Sequence, residues 1–89
     1  MMDYLLFTYP NCKDCAELKK YLAETGLEAR EYSLIQKESK LKIRDFLGII
    51  KRDDKGAIII PTLVIQDDTG AADVVNSRKE LEEWLRSRA

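Results

Sequence analysis

The chain contains no histidine. That absence removes Cys–His nucleophile pairs, Ser-His-Asp triads and His-ligated metals from the chemistry open to it. It also lacks an excess of one charge: 15 Lys and Arg stand against 16 Asp and Glu, net −1. A nucleic-acid binder would show a basic surplus, so no nucleic-acid partner is expected. No stretch approaches the ~18 apolar residues of a membrane span. The short run Tyr4-Leu5-Leu6-Phe7 follows the acidic Asp3, where a secretory signal would carry positive charge. No membrane association is expected, and a cytoplasmic location is. Cysteine is scarce too, with two in 89 residues, which is far from the density of a disulfide-stapled secreted domain.

What is present is an ordinary globular mixture, 45% hydrophobic and 35% charged, at a length that fits one small domain spanning residues 1–89. Leu5 to Thr8 reads as a buried strand ended by Pro10-Asn11. Cys15, Leu18 and Leu22 then fall at i, i+3 and i+7 on one face of a helix that begins about Cys12, with Asn11 as its expected N-cap and Gly26 as its stop. Ala29 to Leu34 is a second strand. Ile43, Phe46, Leu47 and Ile50 give the clearest helical periodicity in the chain. After a charged turn, Lys51 to Gly56, the segment from Ala57 to Gln66 is strongly β-prone. Asp67 to Gly70 forms a turn and Ala71 to Val75 a short strand. Ser77 and Glu80 have capping-box spacing ahead of a last helix carrying Leu81, Trp84 and Leu85 on one face. The order βαβαββα predicts an α/β domain with a four-stranded mixed sheet and three flanking helices, its first half a βαβ unit.

Both cysteines lie in Thr8-Tyr9-Pro10-Asn11-Cys12-Lys13-Asp14-Cys15. Placed at a helix start, Cys12 lies beside unpaired N–H groups and the positive end of the helix dipole, which favour a thiolate. Lys13 adds positive charge and Asp14 partly cancels it. Cys15, one turn on, lies on the core-facing stripe. This asymmetry suits an attacking Cys12 and a resolving Cys15. Two other uses compete. A zinc site needs four ligands, so two chains would have to share it. A structural disulfide closing so short a loop stabilises little. Cys-x-x-Cys beside a βαβ pattern favours the redox use, and no metal is expected.

Pro61 stands inside the β-prone run Ile58-Ile59-Ile60-Pro61-Thr62-Leu63-Val64-Ile65, where it cannot donate to a ladder. It is either an ordinary trans proline at a strand start or a cis proline that turns the Ile60 backbone outward toward an extended substrate.

Taken together, the Cys-Lys-Asp-Cys segment after a strand and the Ile-Ile-Pro-Thr segment before a hairpin and a last helix resemble a glutaredoxin, over nearly the whole chain. The resemblance implies a thioredoxin-like fold and a monomeric enzyme, a thiol–disulfide oxidoreductase. Its expected partners are disulfide-containing proteins and glutathione, the latter as co-substrate. Cys12 would be the nucleophile, Cys15 the resolving thiol and Pro61 the cis proline, with Ile60 offering its backbone to substrate. Tyr9, Pro10, Lys13 and Asp73 complete the expected binding surface. The sequence departs from the family pattern in three places. Lys13-Asp14 replaces the usual Pro-Tyr, Tyr9 occupies the position of a lysine, and the glycine pair expected near the glutathione γ-glutamyl group reads Gly70-Ala71-Ala72-Asp73-Val74. These departures leave room for a redoxin served by thioredoxin reductase, and the family also includes iron–sulfur-binding dimers.

Overall fold

Leu5, Leu6, Phe7 and Thr8 are buried in succession, and so are Thr62, Leu63, Val64 and Ile65. Unbroken burial along a strand requires cover on both faces of a sheet, and the structure, a computed structural model describing residues 2–88, supplies it. Strand β1 (Asp3–Thr8) leads into helix α1 (Lys13–Thr25), strand β2 (Ala29–Ser33), helix α2 (Lys37–Ile43) with a 3-10 turn over Arg44–Phe46, strand β3 (Thr62–Gln66), strand β4 (Ala72–Val75) and helix α3 (Arg78–Arg88). The sheet order is β2-β1-β3-β4. β1 and β2 are parallel, while β3 is antiparallel to both β1 and β4. This is the expected four-stranded mixed sheet with three helices. The charged residues Arg30, Glu31 and Asp73 fall on the edge strands β2 and β4, where charge discourages pairing with another chain.

The period-2 alternation of the central strands divides the core in two. On one face Leu5, Phe7 and Val64 pack with Leu34, Ile43, Phe46 and Ile50. Phe7 stacks on Tyr32 with ring centroids 5.3 Å apart. On the other face Leu6, Leu63 and Ile65 pack with Leu18 and Leu22 of α1 and Leu81 of α3. One helix therefore covers the first face and two cover the second.

Most element boundaries match the sequence pattern, and four points differ. The N-cap of α1 is Cys12, not Asn11, which instead takes φ 59°. Asparagine tolerates that left-handed conformation better than other non-glycine residues, and the reversal frees the cysteine sulfur to cap. Second, Leu47 is exposed while Ile43, Phe46 and Ile50 are buried. The chain tightens from α-helix to 3-10 geometry at Arg44, so positions three apart stay aligned and the next residue turns off the face. Third, β3 begins only at Thr62. Residues 57–60 form the return arm of a small hairpin, with Ile58 bridged to Arg52 and the Ile59 N–H donating to the Lys51 carbonyl. Fourth, the Glu80 carboxylate of the capping box accepts from the Asn76 N–H, while Ser77 Oγ accepts from the Glu80 N–H.

The turns Asp53-Asp54-Lys55-Gly56-Ala57 and Asp67-Asp68-Thr69-Gly70-Ala71 share one geometry. In each, the first Asp Oδ1 accepts two backbone N–H bonds, from the residues two and four positions on. Gly56 and Gly70 have φ 82° and 89°, a conformation that glycine adopts without steric cost.

Candidate active site

Parallel β1 and β2 end together, with Thr8 opposite Ser33. Beyond Thr8 the chain turns through Tyr9, Pro10 and Asn11 and enters α1 at Cys12. The Cys12 backbone is extended (φ −105°, ψ 112°), and its Sγ accepts a hydrogen bond from the Cys15 N–H at 3.1 Å. This is the geometry in which Ser, Thr, Asp or Asn commonly caps a helix, here made by sulfur. Cys12 and Cys15 are joined as a disulfide, with their Cα atoms 5.2 Å apart. Cys12 is half-buried and Cys15 is 2% exposed, so only the first sulfur is open to an incoming molecule.

A cleft of about 660 Å³ opens beside the pair. Tyr9, Pro10 and Lys13 line it, together with Lys19, Glu31 and Ser33. Glu31 Oε2 accepts from Thr8 Oγ1 at 2.9 Å and pairs with Lys19 Nζ at 3.2 Å. The ion pair is exposed and contributes little to stability. Its consequence is local: it fixes one carboxylate and one ammonium on the wall beneath the cysteines. Lys19 was not singled out from the sequence, although it stands one helical turn after Cys15. Nor was Glu31, because nothing in β2 marks which edge residue faces α1.

Pro61 approaches the site from the other side. Phe7 pairs with Thr62, so the same register brings Pro61 level with Thr8 at the sheet end from which the cysteine loop departs. The Ile60–Pro61 peptide bond is cis. Among the described residues no hydrogen bond takes up the Ile60 amide or carbonyl. The segment is held by Asn76, whose Nδ2 donates to the carbonyls of Pro61 (3.0 Å) and Ile59 (3.2 Å) and to Thr62 Oγ1 (3.2 Å). Neither Ile60 nor Pro61 lines the Glu31 cleft. The cysteines thus separate two surfaces, a charged cleft toward β2 and an unpaired backbone toward β3.

The structure does not bring Asp73 to this end of the molecule. It sits in β4 opposite Ile65 and accepts a hydrogen bond from Trp84 Nε1 at 2.9 Å. The turn at Gly70 belongs to the far end of the β3–β4 hairpin. The residues that reach the cysteine end after β4 are Asn76 and Ser77, ahead of α3. Arg78, the first residue of α3, is held by Glu82 at 3.0 Å and lies 5.0 Å above the Tyr21 ring; the hydrogen bond that its Nε–H donates to Glu82 raises its pKa above the ordinary arginine value.

No family model matches the chain, and no curated protein sequence does. Among solved structures, glutaredoxin 1 from Francisella tularensis, in complex with cacodylate, superposes with a TM-score of 0.64 at 18% identity, over 98% of this chain and 95% of that one. The chain has a glutaredoxin fold. Coverage on both sides means that the glutaredoxin fold accounts for the chain from β1 to α3 with no large insertion. Among the described residues no group of three or more Cys, Asp or Glu side chains is arranged to hold a metal ion.

Proposed function

We propose that the protein is a thiol–disulfide oxidoreductase whose working pair is Cys12 and Cys15. The observation that carries this is the cap: the half-buried Cys12 sulfur accepts the Cys15 N–H at the positive end of α1 and is bonded to a buried Cys15. In the reduced protein the same N–H and the same helix end favour negative charge on Cys12 Sγ. The thiolate attacks one sulfur of a substrate disulfide. The Cys12–substrate S–S bond forms, the substrate S–S bond breaks, and the other sulfur leaves as thiolate and takes a proton. Cys15 then loses its proton and attacks Cys12 Sγ, which releases the second substrate thiol and forms the Cys12–Cys15 disulfide. Two electrons from a thiol donor restore the dithiol.

The unpaired Ile60 amide and carbonyl supply a short strand edge for the backbone of an extended substrate, the β-augmentation mode of recognition. Glutathione and protein disulfides both present such a backbone, and glutathione is the co-substrate we assign first. The placement of Asp73 favours a second reading. With Asp73 bonded to Trp84 and Tyr9 where glutaredoxins carry lysine, the site has fewer charged contacts for the two glutathione carboxylates, which suits a redoxin reduced by thioredoxin reductase. Coupled assays with glutathione and with thioredoxin reductase distinguish the donors. For the chemistry itself, Cys12→Ser is expected to abolish disulfide reduction. Cys15→Ser is expected to keep part of the activity toward glutathione-mixed disulfides, which need no resolving thiol. Full activity in Cys12→Ser would overturn the assignment.

A further inference from the structure

The segment joining β2 to β3 leaves and returns at the cysteine end of the sheet. It starts after Ser33, where the Leu34 N–H donates to the Thr8 carbonyl, and ends at Pro61. Its inner stripe, Ser39, Ile43, Phe46 and Ile50, is buried. Its outer stripe is unusual. Lys37, Lys40 and Leu41 fall at i, i+3 and i+4 on the solvent side of α2, and Arg44 follows as its C-cap, so three cations and one leucine are exposed together. No ion pair or hydrogen bond among the described side chains engages Lys37, Lys40 or Arg44. Of the five exposed large hydrophobic side chains among the described residues, four lie in this segment: Ile35 (61% exposed), Leu41 (49%), Leu47 and Ile49. The fifth, Tyr9, is in the cysteine loop.

The charge is divided in the same way. Residues 37–55 carry seven Lys or Arg against four Asp or Glu, net +3, while the other seventy residues carry eight against twelve, net −4. A chain close to neutral has therefore concentrated positive charge and most of its exposed apolar side chains in one stretch of sequence, which leaves and rejoins the sheet at the cysteine end. Solubility alone does not explain that pattern, because interspersed signs and no apolar clustering serve it better.

We propose that the exposed side of the segment from Ile35 to Leu47, α2 included, is a docking surface for an acidic segment of the protein substrate that carries an apolar side chain. The proposal rests on the oxidoreductase assignment above and names its substrate class. Carboxylates of the partner face Lys37, Lys40 and Arg44, and the apolar side chain lies against Leu41. Such complementarity acts mainly on encounter and selection and is weakened by salt. α2 is a single short helix packed on the sheet, and the apolar positions are interleaved with the cations; that spacing suits a folded or extended acidic polypeptide better than a phosphate backbone or a bilayer.

The test compares two glutathione-mixed disulfide peptides, identical except that Asp and Leu flank the cysteine in one and Lys and Leu in the other. For the wild-type chain, kcat/KM for the acidic peptide is expected to exceed that for the basic one by about tenfold at ~20 mM salt, shrinking to about twofold at ~300 mM. Lys37→Glu/Lys40→Glu is expected to lower kcat/KM for the acidic peptide at least fivefold, while turnover of bis(2-hydroxyethyl) disulfide, which has no flanks, stays unchanged. Equal rates for both peptides would overturn the docking surface with the thiol chemistry intact. No turnover of any disulfide would overturn the oxidoreductase reading instead. In that case a Ser-for-Cys version of the acidic peptide, titrated while the α2 amide resonances are followed, still decides the docking. Shifts confined to α2 and lost in the double variant support it, and their absence refutes it. A concentration-dependent dimer abolished by the double variant, or binding to vesicles of anionic lipid in place of the acidic peptide, would also overturn it by giving the face another occupant.

Discussion

Asn76 offers the sharpest check on the architecture of the site. Its side chain is buried, its Nδ2 spans Ile59, Pro61 and Thr62, and its Oδ1 has no partner among the described residues. Asn76→Ala removes an amide with two hydrogens shared among three acceptors. Two hydrogen bonds at about 1 kcal/mol each are lost, and the Pro61 carbonyl is left buried, at about 1 kcal/mol or more. The Ile59 carbonyl keeps its bond from Thr62 Oγ1. Deleting the unpaired Oδ1 returns about 1 kcal/mol. The net expectation is a loss of about 2 kcal/mol, or roughly 8–16 °C in Tm for a domain of this size. Asn76→Asp keeps the shape but directs acceptors at acceptors, so the neutral acid, which can donate, is favoured over the carboxylate. Its folded pKa is then raised above the unfolded value of about 3.9. The folded state binds more protons between those two values, so stability falls as pH rises through that window, by up to about 1.4 kcal/mol per pH unit. Urea unfolding of wild type and both variants near pH 4.5 and near pH 7.5, followed by far-UV circular dichroism, measures this. If Asn76→Ala falls within about 0.5 kcal/mol of wild type, or if Asn76→Asp loses no more stability than wild type between the two pH values, the clamp does not hold the Ile59–Thr62 segment as described.

Two further expectations concern the helix starts. Asn11 has φ 59°, so Asn11→Gly should leave stability within about 1 kcal/mol of wild type while Asn11→Val should cost more, measured by thermal unfolding of the oxidised protein; equal effects would argue against the left-handed conformation. Ser77→Ala removes the oxygen that accepts the Glu80 N–H and is expected to cost about 1 kcal/mol by urea unfolding, with bis(2-hydroxyethyl) disulfide turnover preserved.

The sequence pattern revealed what depends on local periodicity and special residues. Leu18 and Leu22 at helical spacing located α1, Gly26 its stop, Ser77 and Glu80 the start of α3, and the two cysteines with Pro61 marked the sheet end where chemistry is proposed. It concealed what depends on a change of geometry or on long-range packing. Leu47 fits an α-helical stripe, and only the switch to 3-10 winding at Arg44 turns it outward. Ile58 to Ile60 have strand composition, yet Ile58 and Ile59 pair with the Lys51–Arg52 arm and none of the three pairs with β1. Asp73 was placed by analogy with a glycine-containing turn, but the β3–β4 register puts that turn at the opposite end of the hairpin. Asn76 carries no local signal at all, because its partners lie 14 to 17 residues earlier in the chain.

The sulfur cap on α1 has a practical consequence. The Cys15 amide points at the atom whose bonding changes during thiol–disulfide exchange, and an amide proton's resonance is sensitive to the acceptor it faces. Thiolate, thiol, mixed disulfide and internal disulfide at Cys12 present four different acceptors to one N–H. A single backbone resonance in the first turn of α1 thus serves as an intrinsic gauge of redox state, readable without a mutation or an attached reporter group.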